Sequence, residues 1–124
     1  MGKPISGKAM MKIFAWLKSL LSSQYRAIWL YRRGMLRAKL HKNQAAIADY
    51  TTVIDMAGVR ADIRAMALYN RALVYHATGS ESDAIDDLNK VLEMANVAEN
   101  VKTEAQRKLV RMERSARRTD FLDS

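Results

Sequence analysis

Leu68-Tyr69-Asn70-Arg71-Ala72-Leu73-Val74-Tyr75, followed by Gly79, Ala84-Ile85, Leu88 and Val91-Leu92, decides how this chain is read. The stretch recurs, degraded, 38 positions earlier. Leu30, Tyr31, Arg33, Ala46, Ile47, Asp49, Val53, Met56, Ala57, Val59 and Ala67 each have an identical residue at that offset. An offset held over so many positions marks a duplicated structural unit. In the second unit the order is large apolar, small, aromatic, Gly, Ala and large apolar again, and the first follows it except at Arg37 and His41.

The composition makes those units helical. Ala, Leu, Met, Lys, Arg and Glu, all good helix formers, carry most of the 124 residues, and Pro4 is the only proline. This length is enough for one domain with its own core. The absence of cysteine excludes disulfides and thiolate metal sites. The net charge of +8 is unevenly placed: residues 1–48 hold ten Lys or Arg and no acid, whereas residues 43–106 hold ten acids against five bases. The last 18 residues turn basic again, with six bases and three acids. Such asymmetry points to an anionic contact at the ends, to pairing between the chain's own parts, or to a solvated basic surface.

Along the chain, Gly2, Pro4 and Gly7 make residues 1–7 a flexible tail. An amphipathic basic helix is expected over 8–22, with Met10, Ile13, Phe14, Leu17, Leu20 and Leu21 on one side and Met11 and Trp16 at the edges. Ser22-Ser23 mark the expected break. The repeat region follows over 24–118, with repeats at about 27–60 and 65–98 and a final helix at about 98–118. In each repeat a first (A) helix and a second (B) helix meet through small residues, Gly34 and Ala72 on A, Ala46 and Ala84 on B. Gln106 stands where the earlier copies have Leu30 and Leu68, as expected of a capping helix. Residues 119–124 are read as a tail, free or folded back onto basic surface.

Leu68, Ala72, Tyr75, Gly79, Ala84 and Leu88 resemble the tetratricopeptide repeat, and the likeness covers residues 27 to about 118. The first repeat departs from that pattern at Arg37 and His41, both lack the terminal proline, and the period exceeds the family's usual 34. The resemblance implies an all-α, right-handed α-α superhelix of about six helices, counting the added N-terminal one. It also implies a non-enzymatic scaffold whose A helices line a concave groove for a peptide or protein segment.

Carried onto this chain, the lining positions are Ile28, Tyr31, Arg32, Met35 and Lys39 from the first A helix. Met66, Tyr69, Asn70, Leu73 and His76 come from the second, and Glu104, Arg107, Lys108, Arg111 and Arg114 from the last. Met and aromatic surface beside fixed cations suits an acidic partner. One family subgroup grips terminal carboxylates with a Lys/Asn/Asn/Lys/Arg set. Only Asn70 and Lys108 fall at suitable places, so that clamp is not assembled. Arg107, Arg111, Arg114 and Arg118 make one helical stripe, read as a partner contact or as a solvated face paired with Glu104 and Glu113.

No phosphate loop, nucleophile elbow or metal-ligand spacing is present, so neither catalysis, cofactor nor metal is expected. Asp49, Asp86 and Asp87 read as surface and helix-dipole residues. A nucleic-acid partner ranks low, because the middle of the chain is acidic and carries no recognition motif. The alternative to the scaffold is a membrane-surface protein anchored by Phe14, Trp16, Leu17, Lys12 and Lys18. Against it stands packing of residues 8–22 on Tyr25, Trp29 and the first pair, which need a cover. Location is cytoplasmic by default, or peripheral to a membrane on the alternative reading.

Overall fold

The computed structural model describes residues 2–123. They form five helices: α1 (Gly7–Lys39), α2 (Asn43–Asp55), α3 (Ala61–Ala77), α4 (Glu81–Glu93) and α5 (Glu99–Asp123). Each packs on the next, from α1 on α2 through α4 on α5. The odd-numbered helices also meet, α1 with α3 and α3 with α5, whereas among the described residues α2 and α4 do not. An all-α stack whose contacts are this local is a helical-repeat arrangement, closed more tightly on the odd-numbered side.

The duplication extends through the core. Ala27, Leu30, Ala46, Tyr50, Val53, Val59, Ala67 and Val74 form one buried cluster. Their counterparts 38 positions on, Ala65, Leu68, Ala84, Leu88, Val91, Val97, Ala105 and Met112, all lie in the other. Where the two copies differ, the volumes compensate. A Cβ on Gly34 would sit 2.8 Å from Tyr50 Cε1, so the large ring faces glycine. In the second copy the smaller Leu88 accompanies Ala72. Jigsaw packing of this kind lets one backbone plan carry two sequences.

The turns repeat as well. His41 and Gly79, at equivalent positions, both have positive φ, 59° and 85°. Lys42 N–H donates to Arg37 O (2.8 Å) and His41 N–H to Ala38 O (3.1 Å); Ser80 to Tyr75 (2.8 Å) and Gly79 to His76 (3.2 Å) match them. Each is a Schellman closure, which satisfies the last carbonyls of an A helix. The B helices end at Asp55 and Glu93, and the loops that follow share a second equivalent pair at positive φ, Gly58 and Asn96. Gln24 then fixes the first inter-repeat loop, donating to Gly58 O (2.6 Å) and accepting from Arg60 N–H (3.2 Å).

Each repeat also holds an ion pair at equivalent positions. Arg33 Nε and Nη2 donate to Asp49 at 2.9 and 2.7 Å, and Arg71 Nε and Nη2 to Asp87 at 2.8 and 2.7 Å. The hydrogen bonds from Arg71 to Asp87, reinforced by the carboxylate's charge against the cost of burial, hold that guanidinium above its ordinary pKa. Asp49 and Asp87 are therefore interior residues, not the surface residues expected. Their signal was the joint recurrence of Arg and Asp at one offset. Asp86 is exposed, as read.

Three expectations about the ends are corrected. Residues 8–22 are not a separate helix: α1 runs unbroken through Ser22-Ser23, giving five helices where about six were expected. Serine is a mediocre helix former but no breaker, and Ser23 Oγ returns its hydrogen bond to Ser19 O (3.1 Å). Being collinear with Tyr25 and Trp29, this segment cannot fold back on them, and both are exposed. Helix begins at Gly7, capped by Ser6 Oγ accepting from Ala9 N–H, where the tail was expected to extend through residue 7. Thr119–Asp123 continue α5 instead of folding back, and Met1 and Ser124 lie outside the described residues.

Candidate functional site

The expected lining residues come from α1, α3 and α5, the helices that meet one another. Between α3 and α5 lies an open recess of about 620 Å³ lined by Met66, Tyr69, Asn70, Asn100, Val101, Thr103, Glu104 and Arg107. A second, of about 510 Å³, lies between α1 and α3. Met35, Lys39, Tyr50, Asn70, Leu73 and Val74 line it, with His41 from the turn and Asn43 from the start of α2. Asn70 belongs to both, so the two recesses adjoin.

Asn70 also ties the helices together. Its Nδ2 donates to the Tyr31 hydroxyl (2.9 Å) and to Met66 O one turn back (2.9 Å). Burial raises the pKa of Tyr31, the Asn70 bond opposing it, so the phenol stays protonated and available as acceptor and donor. Tyr69 is raised too, by burial first and by nearby Glu104, with Arg111 pulling the other way. Tyr50, the buried floor beneath Gly34, is pushed up to about 12 by burial, with smaller contributions from Tyr31 and Asp49.

The structure brings together Met35, Lys39, Tyr69, Asn70, Leu73 and Arg107, with Tyr31 bonded behind them. It leaves others outside both recesses. Arg32 is exposed on α1. His76 is exposed and held by Glu81, at 2.5 Å from Nδ1. Lys108 is half-buried on α5. Arg111 and Arg114 line a shallow depression along α5 with Gln106, Arg107 and Val110. Arg107 itself donates to Glu104 at 2.8 Å, so an incoming anion would displace an exposed partner, at little cost.

Sequence reasoning missed Val101, Asn100 and Thr103. Val101 aligns with Ile63, which gave a usable signal, whereas the two polar residues had none. Among the described residues no three His, Asp or Glu side chains converge as a metal site. No buried side-chain nitrogen or oxygen among them lacks a partner. The arrangement offers an apolar and aromatic surface with hydrogen-bonding groups and exposed cations at its rims.

No protein-family model matches the chain, and no curated protein or solved structure is significantly similar to it. The second repeat, superimposed on the first at an offset of 38, is its most informative comparison.

Proposed function

We propose that this protein is a non-enzymatic interaction module of tetratricopeptide type, which holds an acidic peptide or protein segment along the face made by α1, α3 and α5. The observation that carries this reading is the pair of adjoining recesses sharing Asn70. Met66, Tyr69, Val101 and Leu73 offer seats for apolar anchors, and Lys39 and Arg107 supply cations toward the two ends. The meeting of odd-numbered helices, without contact between α2 and α4, supports a concave inner face on that side. On this reading Arg111 and Arg114 extend the cationic rim, steering the partner more than holding it.

The test is an array of immobilised peptides with aromatic or methionine anchors spaced among Asp and Glu. The wild-type chain should prefer acidic members over their Asn/Gln counterparts. Arg107→Glu/Arg111→Glu should weaken binding by roughly tenfold or more, and Tyr69→Ala should abolish the preference for an apolar anchor. Equal retention by wild type and both variants would remove the proposal.

A further inference from the structure

The first half of α1 is apolar where the core does not ask for it. Met10, Ile13, Phe14, Leu17, Leu21 and Tyr25 follow one another at helical spacing, and all are exposed, Phe14 at 62% and Leu21 at 56%. Leu20, expected on the same stripe, has its side chain outside the described ones. The face of α1 that packs into the repeats carries Ala27, Leu30 and Gly34. At 100° per residue the exposed stripe is centred roughly 130° around the helix from that face. Neither α2 nor α3 covers Met10 to Leu17, and only at Leu21 and Tyr25 does the stripe border Arg60 and Ile63, across a recess of about 440 Å³. A depression of about 480 Å³ lined by Phe14, Leu17, Lys18, Leu21, Ser22 and Tyr25 runs along the stripe.

Charge selects what can cover it. The segment carries Lys8, Lys12 and Lys18, follows Lys3, and the first acid in the chain is Asp49. A second copy of the segment would bring like charges together with no acid to pair them. The stripe is also broad, spread over roughly 120° of the helix surface, wider than the narrow seam that pairs two helices. A broad apolar face with Lys18 at its rim and no acid on the segment matches a flat, anionic, apolar-backed surface. No helix among the described residues is long and apolar enough to cross a membrane, so the contact would lie in its plane.

We propose that residues 7–25 of α1 bind the surface of an anionic lipid bilayer. Met10, Phe14, Leu17 and Leu21 enter the boundary between headgroups and acyl chains, Lys18 sits at the rim, and Lys8 and Lys12 lie on the polar face above. The segment is about 28 Å long and projects from the repeats, and on the unbroken α1 its stripe runs in line with Met35 and Lys39 of the recess beside α3.

The experiment is co-sedimentation of the full chain with vesicles of phosphatidylcholine alone or with 30% phosphatidylglycerol. Phe14→Gln/Leu17→Gln and Lys8→Gln/Lys12→Gln/Lys18→Gln change exposed positions to another helix former, so circular dichroism and melting should match wild type. Wild type should sediment with the anionic vesicles only. The apolar variant should lose at least a hundredfold in affinity. The lysine variant should lose about fivefold per charge removed, and added salt should act likewise. Failure of wild type to bind, or unchanged binding by the apolar variant, would overturn the proposal, the second outcome exposing mere adsorption of a basic protein. Dimerisation lost in the apolar variant, with no vesicle binding in wild type, would assign the stripe to a second copy instead. Arg107→Glu/Arg111→Glu keeps the stripe intact, so peptide binding and vesicle binding fail separately.

Discussion

Asp49 and Asp87 hold the same place in two copies of one unit, yet their removal should not be equivalent. Asp87 is 2% exposed and its partner Arg71 12%, with α2 over the pair: Arg71 Nη1 also donates to Thr51 Oγ1 at 3.0 Å. Asp87→Ala leaves a guanidinium that cannot reach water without opening the junction between repeats. Breaking a buried pair from one side costs about 3–5 kcal/mol, which for a chain of this size lowers Tm by on the order of 10–20 °C. Asp49 is equally buried, but its partners Arg33 and Arg37 are 36% and 32% exposed and can turn outward when it is lost. The loss at Asp49→Ala should therefore be well under half of that at Asp87→Ala. Urea titration at neutral pH, followed by circular dichroism, measures both. Equal losses would refute the argument that the second pair is sealed by the first repeat. If Asp87→Ala yields no folded protein, Asp87→Asn, which keeps two hydrogen-bonding atoms, should fall between it and wild type.

Other outcomes follow from the same geometry. Gly34→Ala drives a methyl to 2.8 Å from the Tyr50 ring and should destabilise by about 1–2 kcal/mol, even after its better helix propensity. Adding Tyr50→Leu copies the Ala72/Leu88 combination and should recover most of that loss, so a double-mutant cycle reading zero coupling would contradict the fit. Tyr50 ionises at about 12 when folded against 10.0 unperturbed. Its raised pKa means stability is fully present below pH 10 and is lost as pH climbs toward 12, by roughly 3 kcal/mol at most. Phenolate absorbance should show that step coinciding with unfolding, and Tyr50→Phe should move the alkaline midpoint upward. His41→Gly relieves a positive φ at a position where the second repeat already has glycine, and should raise stability by a few tenths to about 1 kcal/mol in thermal melts.

The repeat was legible because packing, capping and ion pairing all use one offset. Leu30 and Leu68, Ala46 and Ala84, Val59 and Val97 each announce a core position twice, and the structure buries all six. The recess beside α5 holds three of the positions that the tetratricopeptide resemblance carried onto the chain, Tyr69, Asn70 and Arg107. What stayed hidden depends on solvent and on continuity. Asp87 resembles a surface acid until Arg71 and α2 close over it, a tertiary relation that no local window contains. Ser22-Ser23 resemble a stop, but serines end a helix only when the backbone has a better use for their side chains, and here Ser23 bonds within the helix. The expectation that 8–22 must cover the first pair assumed an apolar stripe facing inward. Only because α1 runs unbroken does its phase, read against Ala27 and Leu30, exclude that.

That phase connects the two ends of the stack. The two ends of the described stack present different surfaces. At the α5 end, polar Gln106 replaces Leu30 and Leu68 and is exposed, so the surface simply becomes wet. At the α1 end, the position that holds buried Ala67 in the second repeat holds Trp29, with the Arg33 guanidinium 4.6 Å from its ring centre. The position of Tyr75 is taken by Arg37, which gives Asp49 its second cation. A bulky indole and an arginine thus stand at this end where the second repeat has Ala67 and Tyr75, and residues 8–22, collinear with α1, do not cover them. Residues 8–22 are then released from the structural task that the repeat pattern assigned to them. An exposed apolar stripe with no core to serve persists at a cost in solubility, and its lysines narrow what could offset that cost to an anionic surface.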